Sequence, residues 1–333
     1  MDAVLLVVSF AVILAGALLF TNAVEWLGHR LAMGEGAVGS VLAAVGTAMP
    51  ETLIAIVALI GAEEGADQVA IGAIVGAPFL LATLAMGLVG LFAYLYRARR
   101  EQGLRLDAHR PTLERDLVFF LVFFALSLAL AWGAPDLLRI PVGVLVIVAY
   151  FAYVHRTLAA GGDVQAHDTL DPLVFERRAE WRTRPSLPLC ALQLLVGLAA
   201  MVGGAHLFVE ELLHIAESLG VEAVVLALIL APLATELPEK VNSFFWVREG
   251  KDALALGNIT GAMVFQSTVP FGIGLLFTDW DLGGNATLSI ALGLVGGFLA
   301  YEMLHRRGRF GLAAVVAWFA LYAAYIAVVA VGA

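Results

Sequence analysis

The chain has 333 residues, of which 61% are apolar and 14% are charged, and its mean hydropathy is +0.92. Soluble domains contain about 45–50% apolar and about 25% charged residues, so this composition excludes a soluble domain and predicts an integral membrane protein. The net charge of −9 excludes little, because in a membrane protein the distribution of charge matters more than its sum. The single cysteine, Cys190, excludes an internal disulfide and a cysteine-based metal site, and it is expected to be a small buried apolar residue.

Ten apolar segments are long enough to cross a membrane as helices, which requires about 20 residues. The chain starts without a basic segment, so the first span is expected to be retained rather than cleaved as a signal. The long polar stretch at about 158–186 is expected to be a cytoplasmic linker between two halves, residues 1–157 and 187–333. The predicted spans lie at about 3–27, 35–60, 66–95, 114–133, 137–157, 187–214, 220–247, 252–277, 285–304 and 310–331.

The basic residues are concentrated in alternate loops. The loops after spans 1, 3, 5, 7 and 9 hold 17 of the 19 Lys and Arg residues, whereas the opposite loops hold Arg139 and several acids. Because basic loops face the cytoplasm, this asymmetry predicts a multi-pass protein of the cell membrane with both termini outside. It also supports the count of ten spans, since one missed helix would mix the two sets of loops.

A short polar phrase occurs twice inside the apolar segments. Residues 46–51 read Gly-Thr-Ala-Met-Pro-Glu, and residues 234–239, which lie 188 positions later, read Ala-Thr-Glu-Leu-Pro-Glu. A carboxylate in the middle of a span costs about 2.5 kcal/mol or more, and a proline there removes a backbone hydrogen bond. The same two penalties at matching positions indicate an ion site built from two related halves.

The same offset aligns more of the chain. Residues 16–20 match residues 204–208, and after a three-residue shortening of the next loop, residues 72–76 match residues 257–261. Each half holds five spans, an odd number, so the halves cross the membrane in opposite senses. This pattern predicts an all-α integral membrane fold of ten transmembrane helices, arranged as two inverted five-helix repeats with broken helices 2, 3, 7 and 8 and a site near the midplane.

The two phrases supply oxygen ligands. Pro50 and Pro238 cannot donate to the carbonyl groups four residues before them, so both carbonyl oxygens become available. Within each phrase the threonine and the final glutamate are four residues apart and share a helix face. Such oxygens suit Ca²⁺, Na⁺ or a similar hard cation, and no Cys, Met or His cluster points to a soft transition metal. The candidate cation-binding residues are Glu51, Glu239, Thr47, Thr235, Glu236, Gly46, Ala234 and, on span 8, Asn258.

Span 7 carries more charge than span 2. Glu236 lies on the same face as Glu239, and Lys240 follows Glu236 by four residues, the favourable spacing for an ion pair that would modulate the charge of the site. With Glu51 the cluster holds three carboxylates, which are the candidate metal ligands. Together with the lysine they would balance one divalent cation, two monovalent cations, or protons, and their titrations are expected to be coupled.

Polar residues on spans 6 and 8 allow two interpretations. Asn258 is the first ligand candidate on span 8 and Gln266 is the next, but hydrogen bonding between helices explains them equally well. His206 on span 6 is expected to be a hydrogen-bonded packing residue rather than a proton relay.

The motif Gly-Thr-x-x-Pro-Glu, followed about 20–25 residues later by Gly-x-x-x-Gly in two inverted halves, resembles the cation/calcium exchanger superfamily. The resemblance covers the whole chain in architecture and is strongest over residues 46–90 and 234–275. It implies antiport of Ca²⁺ against Na⁺ or H⁺. It also implies that Glu51 and Glu239 bind the cation at the centre, with Thr47 and Thr235 as the repeat threonines.

The chain departs from the family pattern within both repeats. The serine that follows the threonine in the family is Ala48 in the first half and Glu236 in the second. The family's Gly-Ser-Asn is replaced by Gly-Ala-Pro at residues 76–78 and by Gly-Ala-Met at residues 261–263. A site with fewer neutral oxygens and more titratable carboxyls is expected to suit proton coupling, or a changed substrate, better than the family pattern does.

We expect a secondary active cation antiporter that works by alternating access, with spans 1 and 6 moving relative to the core. It would exchange Ca²⁺ or a related cation for H⁺ or Na⁺. A cation channel or uniporter on the same scaffold is the alternative. An intramembrane enzyme or sensor is less favoured, because the chain has no His-Glu-x-x-His motif. The expected partners are inorganic cations and the lipid bilayer, without nucleic acid, for a monomer or homo-oligomer. No cofactor is expected, since the cations are substrates.

Overall fold

The structure is a computed structural model that describes residues 2–30, 48–61, 65–132, 135–159, 172–176 and 186–332. Every regular element within these ranges is helical. The helices are α1 (Asp2–Arg30), α2 (Met49–Gly61), α3 (Ala66–Leu80), α4 (Met86–Leu95), α5 (Arg110–Ala131), α6 (Asp136–Ala159), α7 (Leu187–Leu219), α8 (Ala223–Arg248), α9 (Asp252–Gln266), α10 (Val269–Phe277), α11 (Gly283–Arg307) and α12 (Leu312–Gly332). A π-helical turn, Leu81–Ala85, joins α3 to α4.

The prediction of an all-helical membrane protein is confirmed. Seven helical segments among the described residues are long and apolar enough to cross a membrane. Most observed helices begin and end within a few residues of the predicted spans, and the largest difference is at α7, which continues to Leu219. α2 is described from Met49 onward, and the apolar part of α8, Ala223–Leu233, is shorter than a full span. The count of ten spans therefore stays a prediction.

The span formed by α3 and α4 and the span formed by α9 and α10 lie inside the bundle. In their most apolar windows, 94% and 78% of the residues are buried, compared with 28% in α1 and 17% in α6. Gly72 and Gly76 let α8 approach α3 closely, because a side chain at either position would collide with the backbone of α8. The outer helices keep apolar faces that are free to contact lipid.

Both interior spans are interrupted in the middle. In the first, the π-helical turn begins three residues after Pro78, and the Thr83 hydroxyl donates to the Phe79 carbonyl at 2.6 Å. In the second, α9 ends at Gln266 and α10 begins at Val269, immediately before Pro270, and the Thr268 hydroxyl donates to the Val264 carbonyl at 2.7 Å. Hydroxyl groups thus satisfy backbone oxygens near each break. The predicted break in span 8 is confirmed. In span 3 the helix continues through Pro78, and a π-helical turn three residues later stands in place of the predicted break.

The prediction that the helix of span 7 is broken is wrong. α8 continues from Ala223 to Arg248 through Pro238. A proline removes one backbone donor, but the adjacent turns of a membrane helix can keep their own hydrogen bonds. The corresponding break in span 2 falls largely on residues 31–47, which lie outside the described residues.

α1 and α7 cross each other over much of their length. Gly16 and Gly197 face each other at the crossing, and Gly204 lies against the backbone of α1 one to two turns away. A Cβ atom at position 197 would lie 2.7 Å from the amide nitrogen of Phe20, so only glycine permits this approach. The residues that repeat between the two halves thus form the contact between their first helices.

The loops form two contacting groups, one at each end of the bundle. At one end, loops 96–109, 249–251 and 308–311 contact one another, and we call this the basic end. At the opposite end, Arg139 pairs with Asp279 at 3.0 Å. The contacts at the basic end are the buried ion pair between Arg100 and Asp252, the bond from Gln102 to the Gly250 carbonyl (2.8 Å) and the bond from the Leu106 amide to the Gly308 carbonyl (3.0 Å). This sorting agrees with the predicted alternation of loops; which end faces the cytoplasm stays a prediction.

Part of the predicted linker packs against the bundle. Leu173 is buried, and the Phe175 amide donates to Oε1 of Gln193 at 2.9 Å. The Gln193 amide donates in turn to the Leu19 carbonyl and to Oδ1 of Asn22, both at 2.9 Å. Gln193 is fully buried on α7, so this side chain links the segment 172–176 to both α1 and α7.

Candidate functional site

Glu51 lies in the first turn of α2, and its side chain points into the bundle. The residue is only 3% exposed, and the neighbouring Ala48 and Thr52 are also buried. The Thr52 hydroxyl donates to the Ala48 carbonyl at 2.8 Å. α2 packs against α3, α7 and α8, so the helix that carries the first predicted carboxylate contacts the helix that carries the second phrase. Gly46 and Thr47, which precede it, lie outside the described residues.

Thr235 and Glu236 are buried within α8, and each is 1% exposed. The Thr235 hydroxyl donates to the Ala231 carbonyl at 2.8 Å, one turn earlier in the helix. This bond uses the hydroxyl proton, but a hydroxyl oxygen also has acceptor lone pairs. Thr235 is therefore fixed in orientation and could still offer oxygen to a cation.

Gln266 joins α9 to the acidic phrase on α8. Its amide nitrogen donates to Oε1 of Glu236, and Gln266 is itself 2% exposed. A buried carboxylate needs donors or a cation, because leaving it unpaired is costly. The sequence predicts Gln266 either as a ligand candidate or as a hydrogen-bonding residue between helices. The structure shows a hydrogen bond between helices, and the group that accepts it is a candidate cation ligand. A carboxylate has about four lone-pair positions, so one such bond does not by itself exclude a cation.

The remaining predicted ligands are tested only in part. The backbones of Ala234, Glu239 and Lys240 belong to α8, but their side chains lie outside what the structure describes. Asn258 is half-buried on α9. Among the side chains that are described, no three His, Cys, Asp or Glu residues form a metal-binding group. The proposed triad of Glu51, Glu236 and Glu239 is not tested by this, because the side chain of Glu239 is not among those described.

A further buried carboxylate, Asp116 on α5, is not among the predicted site residues. It is 4% exposed and accepts three bonds, from the Tyr153 hydroxyl on α6 (2.5 Å), from the Thr260 hydroxyl on α9 (3.0 Å) and from Arg115 (3.3 Å). These contacts tie the inner helix α9 to two outer helices. The signal in the sequence is a carboxylate just inside the predicted fourth span, and it is masked by the charged residues Glu114 and Arg115 immediately before it.

The prediction for His206 is wrong, whereas that for Cys190 is confirmed. His206 is exposed on α7 rather than packed in the interior. The offset repeat pairs it with Leu18, which is 72% exposed, so both positions lie on outward faces of the crossing helices. Cys190 is fully buried, as expected for a small apolar residue.

The chain matches a known family over nearly its full length. The sequence profile of the family described as sodium/calcium exchanger protein covers residues 1–158 and 189–331. The putative antiporter CaxA of Alkalimonas amylolytica is 31% identical over 106 residues, which are 32% of this chain and 33% of CaxA. The aligned region thus spans about a third of that relative.

Two solved structures share the fold. The H⁺/Ca²⁺ exchanger CAX is 17% identical, with a TM-score of 0.76 over 98% of this chain and 81% of CAX. The sodium-calcium exchanger NCX_Mj is 19% identical, with a TM-score of 0.61 over 98% of both chains. Together with the family profile, the helices and the buried acidic phrases, these matches establish that the chain is a multi-pass membrane protein of the sodium/calcium exchanger family, which consists of cation exchangers and not enzymes.

Proposed function

We propose that this protein is a secondary active antiporter that exchanges Ca²⁺ or a related hard cation for H⁺ or Na⁺. The observation that carries the proposal is the burial of Glu51 and Glu236 on two helices that contact each other, α2 and α8. Two carboxylates held inside an apolar bundle create a region that positive charge stabilises. Glu239, one turn beyond Glu236, would add a third carboxylate to the same site.

An inverted repeat of ten spans would hold this site at the midplane, and three features support it. The offset that aligns residues 72–76 with 257–261 also pairs the π-helical turn Leu81–Ala85 with residues 266–270, where α9 gives way to α10. In the two repeats, α4 corresponds to α10 and α6 corresponds to α12. The contact between α10 and α6 therefore has its counterpart in the contact between α4 and α12. Likewise, α3 corresponds to α9 and α5 corresponds to α11, and the contact between α11 and α3 has its counterpart in the contact between α5 and α9. On this basis, residues 1–157 and 187–333 are the two repeats. The basic loops, which favour the cytoplasm, would place both termini on the outer side of the cell membrane.

Alternating access would couple the two ion fluxes. If the cation and the driving ion use the same carboxylates, only one of them occupies the site at a time, and each must leave before the other binds. The crossed pair α1 and α7 is suited to move as a unit against the inner spans, because glycines let the two helices contact each other closely. The packed segment 172–176 would move with this pair.

Among the two driving ions, the ligand set favours H⁺. Positions 77 and 262, where the family has serine, are alanine, and positions 78 and 263 are Pro and Met, so four potential side-chain oxygens are absent. Gln266 also directs its amide nitrogen, a donor, at Glu236. With few neutral oxygens, the site offers mainly carboxylates, which bind either a divalent cation or protons. The relatives named above include one called an H⁺/Ca²⁺ exchanger and one called a sodium-calcium exchanger, so both ions belong in the test.

The test is flux in proteoliposomes with a panel of Ca²⁺, Mg²⁺, Mn²⁺, Na⁺ and K⁺ under imposed H⁺ or Na⁺ gradients. We expect uptake of a divalent cation that requires an opposing H⁺ gradient, and at least a tenfold loss of this flux in Glu51→Gln and Glu239→Gln with the folded protein retained. The matched control is Glu210→Gln, since Glu210 is exposed on α7 and should be dispensable. Flux that needs no opposing gradient would indicate a channel, and full activity in Glu51→Gln would reject the site.

A further inference from the structure

An open groove lies between α5 and α11 on the outside of the bundle, next to the basic end. Its volume is about 500 Å³, and α5 contributes the face from Pro111 to Phe123. At 1.5 Å per helical residue this face is about 18 Å long. With the basic end at the membrane surface, as the predicted spans place it, the groove would run from that surface into the hydrocarbon.

The deep part of the groove is apolar. Val118 is 45% and Val122 57% exposed, and they form its outer edge. Phe119 and Phe123 form its floor, with ring centroids 4.6 Å apart. Such a surface fits an acyl chain and offers nothing to a polar ligand.

The shallow part of the groove is cationic. Arg115 lines it with a side chain that is 38% exposed, and Glu114, the acid among its described lining residues, pairs with His305 at 3.2 Å. The guanidinium of Arg110 lies against Gly308 beside the groove. Within the described part of the chain, Arg110, Arg307 and Arg309 have no carboxylate within 4.0 Å. The helix ends beside the groove, residues 109–116 and 301–309, together hold five arginines and three carboxylates, an excess of positive charge.

A second groove of similar size provides a contrast. It lies between α11 and α12, has a volume of about 470 Å³, and is lined by apolar residues such as Val295, Phe298 and Ala324. The charged residue among its described lining residues is Glu302, which pairs with Arg306. Both grooves can accept an acyl chain, but of the two it is the α5–α11 groove whose described lining includes an arginine, Arg115.

We propose that the α5–α11 groove binds one anionic phospholipid, with an acyl chain along Val118, Val122 and Phe123 and the phosphate at Arg115 and Arg110. Arginine binds phosphate through paired, charge-assisted hydrogen bonds. Basic pockets between transmembrane helices are suited to anionic headgroups. This binding site is independent of the proposed transport reaction.

The lipid would meet a residue that also supports the inner helices. Arg115 donates to Asp116, and Asp116 accepts from Thr260 on α9, the helix that carries Gln266. A phosphate at Arg115 would share this guanidinium with Asp116. The groove therefore lies two hydrogen bonds away from α9.

The test is thermal unfolding of the purified full chain in detergent, with added phosphatidylglycerol or phosphatidylcholine. We expect the midpoint to rise by a few degrees with phosphatidylglycerol, in a concentration-dependent way, and to change little with phosphatidylcholine. Val122→Trp fills the groove without touching the polar network, and Arg115→Gln removes the charge. Each variant should lose the selective rise, so if one variant does not fold, the other still decides.

The control is Ala324→Trp, which fills the second groove with the same side chain. This variant should keep the selective rise of the unfolding midpoint with phosphatidylglycerol. Three outcomes would overturn the proposal. They are equal stabilisation by the two lipids, a phosphatidylglycerol effect that persists in Val122→Trp or Arg115→Gln, and an equal loss of the effect in Ala324→Trp.

Discussion

The buried carboxylates of Asp116 and Glu236 have different surroundings. Asp116 accepts a guanidinium and two hydroxyl groups from three helices. Glu236 accepts a hydrogen bond from the side-chain amide of Gln266 on α9. A carboxylate already neutralised by arginine has little need of another cation, so Asp116 is a structural residue. Glu51 and Glu236, on helices that contact each other, remain the candidates for ion binding.

We predict that Asp116→Asn destabilises the protein by about 1–3 kcal/mol, because hydrogen bonds to a charged group are each worth about 1.5–3 kcal/mol and Arg115 is partly exposed, which weakens its share. The measurement is the unfolding midpoint in detergent. The matched control is Asp279→Asn, since Asp279 is 94% exposed in its pair with Arg139 and should change nothing measurable. Equal behaviour of the two variants would contradict a structural role for Asp116.

The candidate ligands on the repeated phrases could be predicted from sequence, but the partners of the carboxylates could not. Glu51 and Glu236 stand out because a carboxylate in an apolar segment is costly wherever its neighbours lie. Gln266 was predicted as a ligand candidate or a hydrogen-bonding residue, and it bonds to one of those carboxylates. Asp116 was missed because it bonds to residues 37 and 144 positions away, Tyr153 and Thr260. No local pattern encodes such a distance.

Among the helices, the crossing of α1 and α7 depends on small residues at particular positions. Gly197 faces the backbone of Gly16 and Phe20. Gly203 lies on the same helix, but a methyl group added there would have no atom of the described residues within 4 Å. Replacing glycine by alanine at position 197 changes both the packing and the helix propensity, whereas the same replacement at position 203 changes only the helix propensity.

We predict that Gly197→Ala destabilises the protein by about 1–3 kcal/mol through overpacking, because the backbone atoms that it meets cannot rotate away. Gly203→Ala should be neutral or stabilise the protein by up to about 1 kcal/mol, since alanine favours helix. Thermal or denaturant unfolding of both variants measures the difference. A neutral Gly197→Ala would mean that α1 and α7 are further apart than described.

Gln193 makes the packed part of the linker another element with a testable role. Gln193 belongs to α7, and its side chain forms hydrogen bonds with segment 172–176 and with α1. We predict that Gln193→Leu releases this segment and increases chymotrypsin cleavage after Phe175 severalfold. Leu192→Ala, at an exposed position beside it, is the control and should leave cleavage unchanged. Unchanged cleavage in Gln193→Leu would contradict the bracing role of this side chain.

At the scale of the whole molecule, the two groups of loops define a topology that labelling can test. In a Cys190→Ala background, we predict that a cysteine replacing Arg99 reacts with an impermeant maleimide only from the cytoplasmic side. A cysteine replacing Asp281 should react only from outside, because Asp281 is exposed near the opposite end of the bundle. Reaction of both from the same side would contradict the proposed alternation and, with it, the inverted repeat.

Hydropathy, charge and the paired phrases were enough to predict a helical membrane protein, most helix ends and the two carboxylate-bearing helices. These features are carried by residues close together in the chain, so they can be read without knowing the fold. The continuity of α8 through Pro238, the outward position of His206, the glycine crossing of α1 and α7, and the partners of Glu236 and Asp116 emerged only in three dimensions. Each depends on which distant helix lies alongside, because packing and hydrogen bonding between helices decide whether a buried polar group is satisfied.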